Sequence, residues 1–301
     1  MGHGQIRKEM AMRALICSVS LQSFLAGVVA TFLFAPAESL AAPGDLIRTF
    51  ADPSGSNSSG FGDAVTGVDG YVFVGAESPW LSVGGVVHMF DPGSGVLERT
   101  FNTPTPGYMY GGFGRTIADF QGNLLVGAWQ EPSGLNIFDI YSGARLDAYP
   151  NTGWLGISAA VDGTQILAGA AADTTSGNWG KAYLFDGSTH ATLQTYTPPV
   201  PAVRFGEAVA FAGDHVVIGA IGYNDVHEWS GAAFVFDRAT GTYLHTFLNP
   251  VPGRSAYFGG SVAAAGDDIL IGKFNTSEAV YTLRRFHIRS QARVPGSGLG
   301  E

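Results

Sequence analysis

The chain has 301 residues, of which 46% are apolar and 14% are charged, and its formal net charge is −9. This apolar content supports a core, and so few charges are atypical of a disordered chain. The negative charge argues against a nucleic-acid partner, because such proteins need a basic surface to bind phosphates. The 43 glycines and 15 prolines indicate many tight turns between short strands.

Residues 1–42 have the features of a secretory signal peptide. Arg7, Lys8 and Arg13 precede an apolar run over residues 14–34, and the small residues of APAESLAA follow it. An uncleaved membrane anchor is the alternative, since the run is long enough to span a bilayer. The serines in the run favour cleavage. We therefore expect a secreted or periplasmic protein with no membrane attachment after cleavage; Cys17 is removed with the signal, so the mature chain has no disulfide.

A repeated unit follows, and it is clearest over residues 205–250. There, the apolar runs AVAF, HVVIGA, AAFVFD and TYLHTF alternate with turns rich in glycine and aspartate. Their alternation and their β-branched and aromatic residues predict a four-stranded antiparallel sheet. Related copies, about 42–53 residues apart, open at a Phe-Gly or Leu-Gly pair and are typical of solenoids or propellers. The five copies open at residues 61, 113, 155, 205 and 258.

The two ends of this array are complementary. The segment GDLIRTF, which ends at Phe50, matches the fourth strand of the repeat but has no first three strands before it. The fifth copy lacks a fourth strand after its third, which we expect to end near Leu283. If residues 45–50 complete the fifth sheet, the ring has no exposed interior edge. The predicted fold is an all-β, five-bladed β-propeller over residues 43–286 with a flexible tail at 287–301. The alternative is an open array or a fragment of a larger ring.

The Phe-Gly openings and the second strands that end in Gly-Ala give the repeat a family likeness. At these residues the sequence resembles the FG-GAP repeat family, known from the propeller of integrin α-subunits, over about residues 45–283. The resemblance implies a propeller that binds proteins or glycans, often in cell adhesion. Many family members bind calcium through an acidic loop between the first two strands. Here that loop is a tight turn such as Asp69-Gly70, and calcium needs six to eight oxygen ligands. We therefore expect neither a calcium site nor another cofactor.

Aromatic residues concentrate in the loops after the second strands and between copies. Such loops face solvent, and amphipathic aromatic side chains there offer large contact areas. The predicted ligand-binding residues are Trp80, Trp129, Trp154, Trp179, Trp229, Tyr108, Tyr257, Asp225 and Glu228. Glu77, Glu131 and Asp173 are expected to flank them. The alternative is that each tryptophan packs over its own sheet as a plug.

Catalytic motifs are faint, so no catalytic residue and no metal ligand is assigned. The sequence contains no HExxH and no G-x-S-x-G. Asp63 and Glu207 occupy the same position after Phe-Gly in two copies, with Arg115 in a third. If they face a channel, the two acids are candidates for glycoside hydrolysis. We expect a monomeric, non-enzymatic binding module for a protein or a glycan. The alternative is an extracellular propeller enzyme acting on polysaccharide, a glycoside hydrolase or lyase.

Overall fold

The computed structural model describes residues 46–55, 60–77, 84–105, 112–173, 179–225, 227–251, 253–265, 268–274 and 281–287. The chain divides into two compact units, residues 1–47 and residues 48–301, and every described strand lies in the second. The predicted signal peptide and nearly all of the predicted tail lie outside the described residues. Within those ranges the chain has no helix with the length and hydropathy needed to cross a membrane.

The described residues form five antiparallel sheets in which neighbouring strands are consecutive in the chain. The first sheet contains β1 (Phe61–Val68), β2 (Tyr71–Ala76), β3 (Val86–Phe90) and β4 (Leu97–Asn102). The second contains β5 (Phe113–Phe120), β6 (Asn123–Ala128), β7 (Ser133–Phe138) and β8 (Arg145–Pro150). The third contains β9 (Leu155–Asp162), β10 (Gln165–Ala170), β11 (Lys181–Asp186) and β12 (Thr192–Tyr196). The fourth contains β13 (Val203–Ala212), β14 (His215–Gly222), β15 (Ala232–Asp237) and β16 (Tyr243–Leu248). The fifth contains β17 (Ser261–Ala265), β18 (Asp268–Phe274) and β19 (Tyr281–His287). The prediction of repeated antiparallel sheets is confirmed.

The core lies between successive sheets. Phe73 and Phe101 of the first sheet pack with Phe113 and Leu124 of the second, and equivalent clusters join each sheet to the next. The second and third strands are therefore buried on both faces, which explains their nearly continuous apolar sequences. The fourth strands are less buried than the second and third strands of the same sheets; in Leu97–Asn102, for example, a single residue, Phe101, is fully buried.

Short turns connect the first two strands of the first four sheets. Asp69 and Gly70 have φ of 46° and 85°, and Gln121 and Gly122 have φ of 55° and 80°. Two residues with positive φ form the turn whose twist matches antiparallel strands. The predicted shortness of these connections is confirmed. In the first four sheets the turn after the third strand is closed by an aspartate side chain, which accepts hydrogen bonds from the residue three positions later. These hydrogen bonds lower the pKa of the four carboxyls, Asp91, Asp139, Asp186 and Asp237.

Glycines set the spacing between sheets. A side chain at Gly75 in β2 would overlap the carbonyl oxygen of Gly114, the glycine of the next Phe-Gly pair. This contact recurs between the second strand of each sheet and the opening of the next, at Gly127 with Gly156, Gly169 with Gly206, and Gly219 with Gly259. The opening glycines have φ of 87–97°, a conformation that side chains disfavour. The glycines that repeat in the sequence therefore mark sheet-to-sheet contacts.

The first strands contact each other in order, β1 with β5, β5 with β9, β9 with β13 and β13 with β17. No comparable contact joins β17 to β1 among the described strands. The fifth sheet has three described strands, and residues 46–51 adopt no strand, so the predicted closing strand is not observed. The expected end of the last third strand near Leu283 is wrong, because β19 continues to His287 and pairs Gly272 with Leu283.

Residues 48–50 nevertheless contact the first sheet. Their contacts are the ones that the fourth strand of each of the first three sheets makes with the sheet that follows it in the chain. The Phe50 ring is 5.1 Å from the Phe90 ring of β3. An equivalent ring contact joins the fourth strand of one sheet to the third strand of the following sheet. It occurs between Phe101 and Phe138 (5.7 Å), Tyr149 and Phe185 (5.1 Å), and Tyr196 and Phe236 (5.4 Å). Arg48 donates to Pro92 and Ser94 carbonyls, as Arg99 donates to Ser142. Residues 48–50 therefore occupy, relative to the first sheet, the place that a fourth strand occupies relative to the sheet that follows it.

Candidate functional site

Several charged and aromatic side chains from different sheets meet where the first strands begin. Glu77 follows β2 and is 5% exposed. Its Oε1 accepts a 2.7 Å hydrogen bond from Nε1 of Trp129, and its Oε2 lies 3.2 Å from Nη1 of Arg115. Arg115 occupies the position after the second Phe-Gly pair, so its side chain reaches from β5 to the loop of the first sheet. The carboxylate is thereby buried with two donors, as a buried charge requires.

The same cluster continues through the third and fourth sheets. The Trp129 ring packs edge-on against Trp154, with ring centroids 4.8 Å apart, and the Arg204 guanidinium lies 5.4 Å from the Trp154 ring. Arg204 pairs with Glu207 at 2.8 Å, and Glu207 lies 3.8 Å from Nη2 of Arg115. These contacts close a circuit that we call the mouth cluster. Its members are Glu77, Arg115, Trp129, Trp154, Arg204 and Glu207.

A cavity of about 460 Å³ opens beside the mouth cluster, between the fourth and fifth sheets. Its volume falls within the range of roughly 300–1,000 Å³ for small-molecule sites. The wall combines three cationic side chains and one carboxylate with two aromatic rings. The lining side chains that carry polar or aromatic groups are Arg115, Arg204, Glu207, Trp229, Tyr257, Ser261 and Lys273. Such a wall can hydrogen-bond a polar ligand and contact its apolar surface.

The backbone around this cavity is locally strained. Trp229 and Tyr257 have φ of 58° and 49°, and Arg204 has φ of 58°. Positive φ is unfavourable for bulky residues and persists only where neighbouring contacts impose it. Here the Tyr257 amide donates to the Trp229 carbonyl at 3.0 Å, and the two rings pack with centroids 5.9 Å apart. The two loops therefore hold both rings at the cavity wall.

The flanking carboxylates predicted to face solvent are buried, which corrects that expectation. Glu131 is 1% exposed, and the hydroxyls of Thr103 and Thr105 donate to it at 2.5 and 2.7 Å. Burial raises the pKa of the Glu131 carboxyl, and these hydrogen bonds partly oppose that rise. Asp173, which is 4% exposed, accepts from Tyr183 at 2.6 Å and lies 3.7 Å from Lys181. These acids secure loops and are not available to a partner.

The predicted ligand-binding residues separate into groups. Trp229 and Tyr257 line the cavity, whereas Trp129 and Trp154 belong to the mouth cluster and contact each other across two sheets. Trp179 lies in the loop that pairs with β13, since its carbonyl accepts from the Phe205 amide at 2.9 Å. Glu228 pairs with Arg254 at the surface, and Asp225 is exposed in the same loop. Trp80 and Tyr108 lie outside the described residues.

Asp63, the third acid considered in the sequence, lies near the mouth cluster. Burial raises the pKa of the Asp63 carboxyl, the Glu77 charge adds to that rise, and Arg115 opposes it. Asp63 and Glu207, which follow Phe-Gly in two copies, therefore both lie near Arg115. Among the described residues, no group of three or more His, Cys, Asp or Glu side chains is arranged to hold a metal ion.

Sequence reasoning missed Lys273 as a site residue, although the repeat contains a signal for it. Four second strands contain the pair Gly-Ala, and those alanines, Ala76, Ala128, Ala170 and Ala220, are at most 2% exposed. The fifth has Gly272-Lys273 at the same place. Replacement of a small buried residue by a cation is therefore specific to the fifth sheet, one of the two sheets that border the cavity.

Comparison with known proteins identifies one segment. A search of curated proteins finds no significant match. The family model of the FG-GAP repeat matches residues 201–236, which cover the first three strands of the fourth sheet. This segment contains Phe205-Gly206 and a second strand with the pair Gly219-Ala220, the features on which the resemblance rests. Residues 201–236 are an FG-GAP repeat, and the chain is accordingly consistent with the FG-GAP repeat family.

Proposed function

We propose that this protein is an exported, non-enzymatic binding module built on a five-bladed propeller, and that it binds a glycan at the cavity beside the mouth cluster. The observation that carries the proposal is the cavity wall, where Trp229 and Tyr257 lie beside Arg204 and Glu207. Sugar rings have apolar C–H faces that pack on aromatic rings, and their hydroxyls hydrogen-bond charged groups. A protein partner instead needs roughly 800 Å² of surface on each side, and a concave cavity suits a small residue better.

Closure of the propeller is part of this proposal. Phe50 and Arg48 contact the first sheet as fourth strands contact their next sheet. The fifth sheet is the one that has three described strands. We therefore infer that residues 45–50 pair with β19. The ring then closes without an open edge, which would otherwise favour aggregation.

Export rests on the sequence of residues 1–42, which precede the propeller. The proposal places the protein outside the cytoplasm, where glycans of cell surfaces and matrices are accessible. Detection of the mature N-terminus after expression in a secreting host tests this part. A chain that begins after Ala37, Ala41 or Ala42 is expected, whereas an intact N-terminus would favour the anchor.

Binding is tested with an array of neutral and acidic glycans, using the mature protein and two aromatic variants. Trp229→Ala removes a cavity ring, and Tyr243→Ala removes an exposed ring on β16, away from the cavity. Thermal unfolding establishes that both variants fold. We expect the wild type and Tyr243→Ala to bind the same glycans and Trp229→Ala to lose at least about tenfold in affinity, as expected for a central aromatic contact. A folded wild type that binds no glycan, or a Trp229→Ala variant that binds normally, would refute the proposal.

A second candidate function has one observation in its favour. Glu77 and Glu207 converge on Arg115, and the nearby Asp63 carboxyl has a raised pKa, which suits a proton donor. A glycoside hydrolase needs such a pair of acids. However, the side chains of Glu77 and Glu207 are only 6% and 8% exposed and are already paired. Release of new reducing ends or unsaturated products from a bound glycan, abolished by Glu207→Gln, would favour the enzyme.

A further inference from the structure

We propose that the cavity selects glycans that carry a negatively charged group, a carboxylate or a sulfate, and that Lys273 is the residue that recognises the charge. This inference rests on the proposed glycan binding and names the class of glycan. It stands on three observations: the charges of the wall, the pairing of each charge, and the position of Lys273 in the repeat.

The cationic side chains of the wall differ in how fully they are paired. Arg115 contacts Glu77 and Glu207, and Arg204 contacts Glu207 and the Trp154 ring. Lys273 has no ion-pair partner among the described residues. It nevertheless lines the cavity. An anionic ligand group can therefore pair with Lys273 without displacing an internal carboxylate.

The location of Lys273 supports a role in recognition. It stands where four other sheets place a buried alanine, so a cation is not required for the packing of a second strand. In β18 it follows Gly272, which also lines the cavity. A small residue beside the cation leaves room for a ligand group to approach. Trp229 and Tyr257 on the facing loops can then contact the sugar ring to which the group is attached.

Ring closure adds one carboxyl to this environment. By the repeated contact between a second-strand glycine and the next opening glycine, closure places Gly62 against Gly272, with Asp63 beside Lys273. Asp63 then competes with the ligand for the lysine. Neutralising Asp63 is therefore expected to raise the affinity for an anion, whereas neutralising Lys273 is expected to lower it.

The experiment measures binding by calorimetry at low and high salt. The probes are polygalacturonate oligomers, the same oligomers with their carboxyls methyl-esterified, and dextran sulfate. The variants are Lys273→Gln, Lys273→Arg and Asp63→Asn, with Arg145→Gln as a matched charge control on the outward-facing β8. Thermal unfolding again checks that each variant folds.

We expect the acidic oligomer to bind more tightly than its ester and its affinity to fall with salt, because exposed charges are screened. Lys273→Gln should lose about tenfold or more, the equivalent of one charge-assisted hydrogen bond. Lys273→Arg and Arg145→Gln should retain binding, and Asp63→Asn should bind more tightly. Preference for dextran sulfate over the uronate would identify sulfate as the recognised group and would also support the proposal.

Three outcomes separate the proposals. Equal affinity for the acid and its ester would overturn the inference about charge while supporting glycan binding. An equal loss in Arg145→Gln and Lys273→Gln would show only a general charge effect and would also overturn it. Failure of all three probes, together with no binding on the glycan array, would overturn the proposed function itself.

Discussion

Arg115 of the second sheet and Glu207 of the fourth sheet form an ion pair, with Nη2 3.8 Å from Oε1. The third sheet lies between them in the chain, so the pair links two sheets that are not consecutive. Each of the two residues directly follows a Phe-Gly pair. Equivalent positions of the repeat therefore contribute a cation and a carboxylate to the mouth cluster.

The first prediction concerns Arg115. Arg115→Gln leaves the carboxylates of Glu77 and Glu207, which are 6% and 8% exposed, without their shared cation. Unpaired buried charges are costly, although the 41% exposure of Arg115 reduces the effect. We expect a loss of about 1–3 kcal/mol in the free energy of unfolding, measured by urea denaturation. Arg145→Gln is the control, and equal stability of both variants would show that the pairs contribute nothing.

Local sequence was sufficient to predict the sheets because alternation, turns and glycines are local signals. Phe-Gly and Gly-Ala mark strand starts and ends, and the structure explains them by the contact of Gly75 with Gly114. Burial of loop carboxylates was not predictable, because the partner of Glu77 lies in another sheet. Lys273 was missed for a similar reason: its significance appears only when Trp229 and Tyr257, distant in sequence, lie across the same cavity.

A second prediction concerns the hydrogen bond between Trp129 and Glu77. Trp129→Phe keeps an aromatic ring near Trp154 and removes the Nε1 donor, leaving a buried carboxylate oxygen without that partner. Such a loss costs about 1–3 kcal/mol. When Trp129→Phe is introduced into the Glu77→Gln variant, the loss of unfolding free energy should be smaller, because a neutral amide oxygen costs less than a carboxylate when it loses a hydrogen-bond donor. Urea denaturation of the four proteins gives the coupling energy; additive effects would show that the pair is not coupled.

A third prediction tests ring closure through glycine. A side chain at Gly219 overlaps the Gly259 carbonyl oxygen, whereas no atom of the described residues lies within 4 Å of the Cβ position at Gly62. In a closed ring Gly272 contacts Gly62 as Gly219 contacts Gly259. Gly219→Ala and Gly272→Ala should then each lose about 1–3 kcal/mol, the cost of overpacking. Stability of Gly272→Ala at the wild-type level, with Gly219→Ala destabilised, would show an open ring.

A fourth prediction tests the closing strand by cross-linking. In four sheets a row of paired residues runs from the second strand to the fourth, as in Ile218, Phe234 and Thr246. In the fifth sheet Ile271 pairs with Arg284, so the repeat places Thr49 opposite Arg284. Directly opposed residues have Cβ atoms about 4.5–5.5 Å apart, close to disulfide geometry. The mature chain has no cysteine, so Thr49→Cys with Arg284→Cys should form one disulfide in the native monomer. Thr49→Cys with Arg145→Cys should form none, and absence of the first disulfide would contradict the pairing.

The last prediction concerns pH. Burial raises the pKa of Glu131 above its ordinary value of 4.5. The folded state therefore binds this proton more tightly than the unfolded state. The resulting stability is fully present below about pH 4.5 and is lost as pH rises through the folded pKa. His88 contributes the opposite slope, because burial lowers its pKa from 6.5.

Comparison with Glu131→Gln separates the two groups, since the variant keeps His88. The difference in unfolding free energy between wild type and Glu131→Gln should change in favour of the variant as pH rises above 4.5, by at most about 1.4 kcal/mol per pH unit, the slope of one proton. Urea denaturation at intervals from pH 4 to 8 measures it. Glu98→Gln, an exposed substitution on β4, should show a flat difference over that range. If the difference in unfolding free energy between wild type and Glu131→Gln did not change with pH, the prediction would be wrong. The hydrogen bonds from Thr103 and Thr105 would then fully offset the desolvation of the carboxylate.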